Sequence, residues 1–118
     1  MAVTNITKIA TKDVNVVSDA ITFATGTTAD GFLADFTGKD YKTAFIVNNT
    51  GASAATLTVK AGDSPAAASE DKVLTVPVGY SVFTLDSGYY KITKGTNRGK
   101  VQLIPSATTV GLAVVELR

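Results

Sequence analysis

The chain has 118 residues, the size of one domain, with 18% charged residues and a net charge of +1. That charge is too small to recruit nucleic acid or an anionic membrane through a global field. Cysteine, histidine and tryptophan are all absent, which excludes disulfides, thiolate nucleophiles, Cys-based metal sites and any Ser-His-Asp triad.

Residues 1–8 contain no apolar core of a signal peptide. No run reaches the roughly 18 apolar residues that span a bilayer. A soluble protein made in the cytoplasm is expected. Residues 1–12 carry few apolar anchors, so an extended N-terminal arm is expected, with 1–19 as the arm and 20–118 as the folded domain. Val14-Asn15-Val16-Val17 and Ala20-Ile21-Thr22-Phe23-Ala24 are strand candidates. Residues 26–31 read as a loop, and Phe32–Phe36 as a strand or one helical turn.

From Thr43 the chain reads as short strands with turn signals between them. Thr43–Asn48 is β-branched and aromatic and stops at Asn49-Thr50-Gly51. Thr56–Lys60 alternates, with Leu57 and Val59 on one face. The two runs together suggest a hairpin. Residues 61–70 are a loop of small residues. Strands are expected at Lys72–Val76, Tyr80–Leu85, Tyr89–Thr93 and Lys100–Ile104, the last ended by Pro105. Val110–Leu117 closes the chain, and its almost continuous apolar run suits a strand covered on both faces. Strand starts recur about every 8–15 residues with no helical stripe between them, which predicts an all-β antiparallel sandwich, jelly-roll or Ig-like.

Little in the chain points to catalysis. Gly95-Thr96-Asn97-Arg98-Gly99-Lys100 superficially resembles a phosphate loop. It has three residues between the glycines, not four, and Val101 follows the lysine where Ser or Thr belongs. The carboxylates are scattered and lack calcium-loop spacing. Asp86-Ser87-Gly88 reads as a turn, not a nucleophile elbow. Asn5-Ile6-Thr7 and Asn48-Asn49-Thr50 match the glycosylation pattern, which matters only in a secretory route. No catalytic residue, cofactor or metal site is assigned, and the protein is expected not to be an enzyme.

The recognition candidates are basic and aromatic. Lys91, Lys94, Arg98 and Lys100 cluster around the 94–99 loop, where they suit either an acidic protein surface or a solvated edge. Tyr41, Tyr80, Tyr89 and Tyr90 suit a contact surface. As strand neighbours, Tyr89 and Tyr90 should point to opposite faces.

Four stretches resemble a pattern in small structural proteins of tailed bacteriophages. They are residues 36–50, Thr56–Asp63, Leu74–Gly79, and Leu85–Lys91 followed by Gly99-Lys100-Val101. The order is similar to that of auxiliary head proteins that decorate the capsid, and it covers residues 36 to about 117. The resemblance implies a non-enzymatic virion protein on the head surface that binds the major capsid protein, as a monomer or a homotrimer, with no nucleic-acid or membrane partner. The candidate contact regions are residues 1–19 and the loops 61–70 and 94–99, with Thr4, Ile6, Lys8, Lys94, Asn97 and Arg98 as contact residues. On this reading, deleting residues 1–12 leaves a folded domain with weaker capsid binding. The alternative is a tail, fibre or surface binding module that recognises a carbohydrate or host receptor through Tyr80, Tyr89 or Tyr90, and a third reading is another virion part such as a tail or neck component.

Overall fold

A computed structural model describes residues 3–12, 15–37, 39–63 and 70–117. The regular structure is nearly all strand, in two sheets that share one core. In chain order the strands are β1 (Thr4–Ile6), β2 (Ile9–Ala10), β3 (Ala24–Thr25), β4 (Phe32–Asp35), β5 (Thr43–Asn49), β6 (Ala55–Val59), β7 (Lys72–Val76), β8 (Gly79–Phe83), β9 (Lys100–Pro105) and β10 (Val110–Glu116). One sheet runs β1-β4-β9-β6-β7. The other runs β2-β10-β5-β8, with β3 also paired to β10.

Alternation in the sequence decides which face of each strand is buried. Phe45 and Val47 of β5 meet Leu112 and Val114 of β10 across the ladder, and all four are buried. Leu57 and Val59 of β6, Val101 and Leu103 of β9, and Phe32 of β4 close the core from the other sheet. Phe36 stands edge-on to Phe45, and Phe83 stacks on Phe45. β10 is buried on both faces, as its apolar run predicts. Its outer face is covered in part by Phe23, which lies so close to Gly111 that a Cβ there would come within 3.2 Å of the Phe23 Cβ.

Several expectations need correction. The runs expected to form a hairpin lie in different sheets, because residues 50–54 arch across the sandwich. Asn49 organises that arch. Its buried side-chain amide donates to the carbonyls of Ser53 and Val76, and its Oδ1 accepts from the Gly51 N–H and the Thr109 hydroxyl. Tyr89 and Tyr90 are not on a strand but on a single helical turn, Ser87–Tyr90. The Asp86 carboxylate accepts the Gly88 N–H at 2.7 Å and starts that turn. Phe32–Asp35 is a strand, not a helical turn. Of the 14–17 candidate, Val14 lies outside the described residues, and Val16 and Val17 are exposed and unpaired with any strand. Of the 20–24 candidate only Ala24 enters a strand.

The sheets are mixed, not purely antiparallel. β1 runs parallel to β4, and β2 runs parallel to β10. In the N-terminal segment, Thr4–Ile6 and Ile9–Ala10 are strands, one built into each sheet. Ile6 is 8% exposed and belongs to the core. The chain crosses from one sheet to the other at Thr7-Lys8. The sheets therefore draw strands from both sides of residue 19. No helix among the described residues is long and apolar enough to cross a membrane.

Candidate functional site

The strand registers sort the charged side chains to one end of the sandwich. β4, β6, β8 and β10 finish there, and β5, β7 and β9 begin there. At this end lie Lys8, Lys39, Lys42, Lys60, Lys72, Lys91, Lys94, Arg98 and Lys100. Asp35, Asp40, Asp63, Glu70, Asp71, Asp86 and Glu116 lie at the same end. The opposite end is built from residues 26–31, 50–54, 77–78 and 106–109, and among these only Asp30 is charged.

The carboxylates at the charged end act as local fasteners. Asp63 accepts the backbone N–H and hydroxyl of Thr93, each at 2.7 Å. The Thr93 hydroxyl, then the Thr93 N–H, hold the Asp63 carboxyl below its ordinary range. Asp71 takes the Lys60 ammonium at 2.8 Å and the Ala61 N–H at 2.8 Å. The Lys60 hydrogen bond, then that of Ala61, lower its carboxyl in the same way. Asp35 accepts the N–H and hydroxyl of Thr37. Gly62 sits directly under the next loop, its N–H donating to the Tyr89 carbonyl at 2.8 Å. A Cβ at Gly62 would fall 2.5 Å from the Lys91 carbonyl oxygen, so only glycine fits without displacement.

These bonds bring together the three regions singled out in the sequence. The described part of the 61–70 loop docks on residues 89–93, which lead into the 94–99 loop. Residues 64–69 lie outside the described residues. Lys8 reaches the same end, where its ammonium pairs with Glu116 at 3.3 Å and donates to the Thr37 hydroxyl at 3.0 Å.

The individual candidates divide. Lys94, Asn97 and Arg98 are exposed at the loop tip, and the side chains of Lys94 and Arg98 have no polar partner among the described residues. Lys8 is half-buried and ion-paired. Thr4 is half-buried and donates its hydroxyl to the Thr25 carbonyl. Ile6 faces the core and offers little surface to a partner. Tyr41, on the turn before β5, is exposed at the charged end with the Lys39 ammonium 5.9 Å from its ring centre.

The other tyrosines are dispersed. Tyr80 is 72% exposed on β8, and its ring tilts against Phe23. Tyr89 is half exposed, while Tyr90 packs on the core. Their rings meet edge-on at 79°, so they form no flat stacking platform.

One exposed apolar feature was not singled out from the sequence. Val73, Val78 and Val82 are all more than half exposed on or beside β7 and β8. Both faces of Gly79–Phe83 carry apolar residues, so alternation alone does not reveal which face is outward.

No family model matches the chain, and neither the curated proteins nor the solved structures contain a match.

Proposed function

We propose that this chain is a non-enzymatic virion structural protein that decorates the head surface by docking its charged end on the major capsid protein. One observation carries the reading. Segments far apart in sequence, around Lys8, Asp63 and the 94–99 loop, meet at one end and present Lys94 and Arg98 with no internal partner among the described residues. Cations kept out of internal pairs suit recognition of an acidic protein surface. Repetition around a symmetric shell multiplies a modest single contact.

The strand order supports a specific form of sandwich. β3-β10-β5-β8 and β4-β9-β6-β7, read without the added β1 and β2, follow the order of an eight-stranded jelly roll. That architecture hosts viral capsid domains and lectins alike, so the function rests on the site and not on the fold. Between those two uses, the perpendicular Tyr89–Tyr90 pair and the remote Tyr80 favour protein docking over sugar stacking.

The test is co-sedimentation of the purified protein with shells of the same virus. Saturable binding at a fixed ratio to the major capsid protein is expected, weakened by rising salt. The double variant Lys94→Glu, Arg98→Glu is expected to bind at least tenfold more weakly while melting like the wild type. Absence of wild-type binding overturns the decoration role, and unchanged binding by the variant overturns the docking end.

A further inference from the structure

β8 closes one side of its sheet, paired to β5 on one flank and to no strand among the described residues on the other. An edge of this kind displays unpaired backbone donors and acceptors, and natural sheets usually blunt it with charge or proline. β7, the neighbouring edge of the other sheet, follows that practice, with Lys72 at its start and Pro77 just after its end. β8 does not. Gly79-Tyr80-Ser81-Val82-Phe83 carries no charge and no proline.

The outward side chains of β8 are apolar as well. Val82 is 66% exposed, and Tyr80 stands beside it on the same face. The register extends both into rows across the sheet, Val82 to Ile46 to Ala113 and Tyr80 to Asn48 to Gly111. The outer face of the other sheet is mixed, with Thr56, Thr58, Thr75 and Gln102 beside Val73 and Ile104.

We propose that β8 pairs with β8 of a second copy of this chain, antiparallel about Ser81, joining the two sheets into one. The strand sequence is self-complementary in that register. Gly79 falls opposite Phe83, Ser81 opposite Ser81, and Tyr80 opposite Val82 of the second copy. Residues of the same parity face each other, so outward backbone donors meet outward acceptors, as an antiparallel ladder requires. Aromatic and β-branched side chains opposite each other form favourable cross-strand pairs. Charge selects the occupant. A neutral edge meets a neutral edge with no ion to desolvate, and a two-fold axis makes the contact close on itself. The pairing is independent of docking by the charged end. It sends the charged ends of the two copies in opposite directions.

Sedimentation and light scattering of the full chain from about 1 μM to 1 mM test the pairing, a range that spans weak to moderate dimers. The wild type is expected to move from one chain mass, 12.2 kDa, to twice that mass as concentration rises. Val82→Lys and Tyr80→Glu, both at well-exposed positions, should melt like the wild type and self-associate at least tenfold more weakly. Thr75→Lys, on β7, should associate like the wild type. A wild type that stays monomeric throughout, that forms trimers, or whose association is unaffected by both β8 variants overturns the proposal.

Discussion

The Asp63 carboxylate receives both the N–H and the hydroxyl of Thr93 at 2.7 Å, which ties the turn after β6 to the loop ahead of β9. This clasp and its neighbour at Asp71 are pH-sensitive. Both carboxyls are held below their ordinary range when the chain is folded. Their contribution is therefore complete above the ordinary carboxylate value, about 4, and is lost as pH falls through the lowered folded values. Amide exchange at Thr93 and Ala61 is expected to accelerate below about pH 4, before the sheets open. Asp63→Ala should give fast Thr93 exchange at neutral pH and leave Ala61 protected. Equal protection of Thr93 in the variant and the wild type would remove the clasp from the account.

Ile6 anchors the N-terminal strand in the core, so truncation acts on stability. Ile6→Ala is expected to lower the unfolding free energy by about 2–4 kcal/mol in urea titrations, the range for a buried aliphatic cavity. Val17→Ala, at a residue 86% exposed, should stay within about 0.5 kcal/mol of wild type. Deleting residues 1–12 removes β1 and β2 and should cost more than Ile6→Ala alone. A truncated domain as stable as the full chain would show residues 1–12 to be the detachable arm expected from the sequence.

Asn49 is almost fully buried, and its amide joins the 50–54 arch to β7 and to the loop before β10. Asn49→Leu leaves the Ser53 and Val76 carbonyls and the Gly51 N–H without this partner. A loss of about 1–3 kcal/mol is expected, chiefly from the buried Val76 carbonyl left without this donor. Thr50→Ala, at an exposed neighbour, should lose about 1 kcal/mol or less.

Gly62 lies under the Lys91 carbonyl with no room for a side chain. Gly62→Ala is expected to push the 89–93 segment away and destabilise by about 1–3 kcal/mol, as overpacking does. The displacement should appear as chemical-shift changes at Tyr89 and Thr93 and not at Asn49, at the opposite end. Changes of equal size at both ends would contradict a local clash.

Legibility in the sequence followed the range of the forces involved. β5, β9 and β10 were readable because their alternation, or its absence in β10, reports which faces are buried. The partner of β5 was not readable. The same alternation serves a hairpin or an arch, and the choice was made by Asn49 contacting Val76, a residue 27 positions away. Tyr89–Thr93 has strand-like composition, yet the Asp86 side chain outweighs propensity by starting a helical turn. β1 and β2 are three and two residues long, and they exist as strands only because β4 and β10 offer open flanks. At the charged end, the 94–99 loop was visible as a basic cluster. Its meeting with Lys8 and Asp63 depends on tertiary contacts that no local pattern encodes.

The crossing of the N-terminal segment from β1 to β2 also has a mechanical meaning. β2 runs parallel to β10, so tension applied through the segments before β2 and after β10 pulls these strands past each other lengthwise. The interstrand bonds then share the load together and do not open one at a time from an end. β1 and β4 are parallel too, but the side chains of Ile6 and Phe32 also lock that pair into the core. The sandwich is thus built to resist being stretched along its strands while its β8 flank stays soft to peeling.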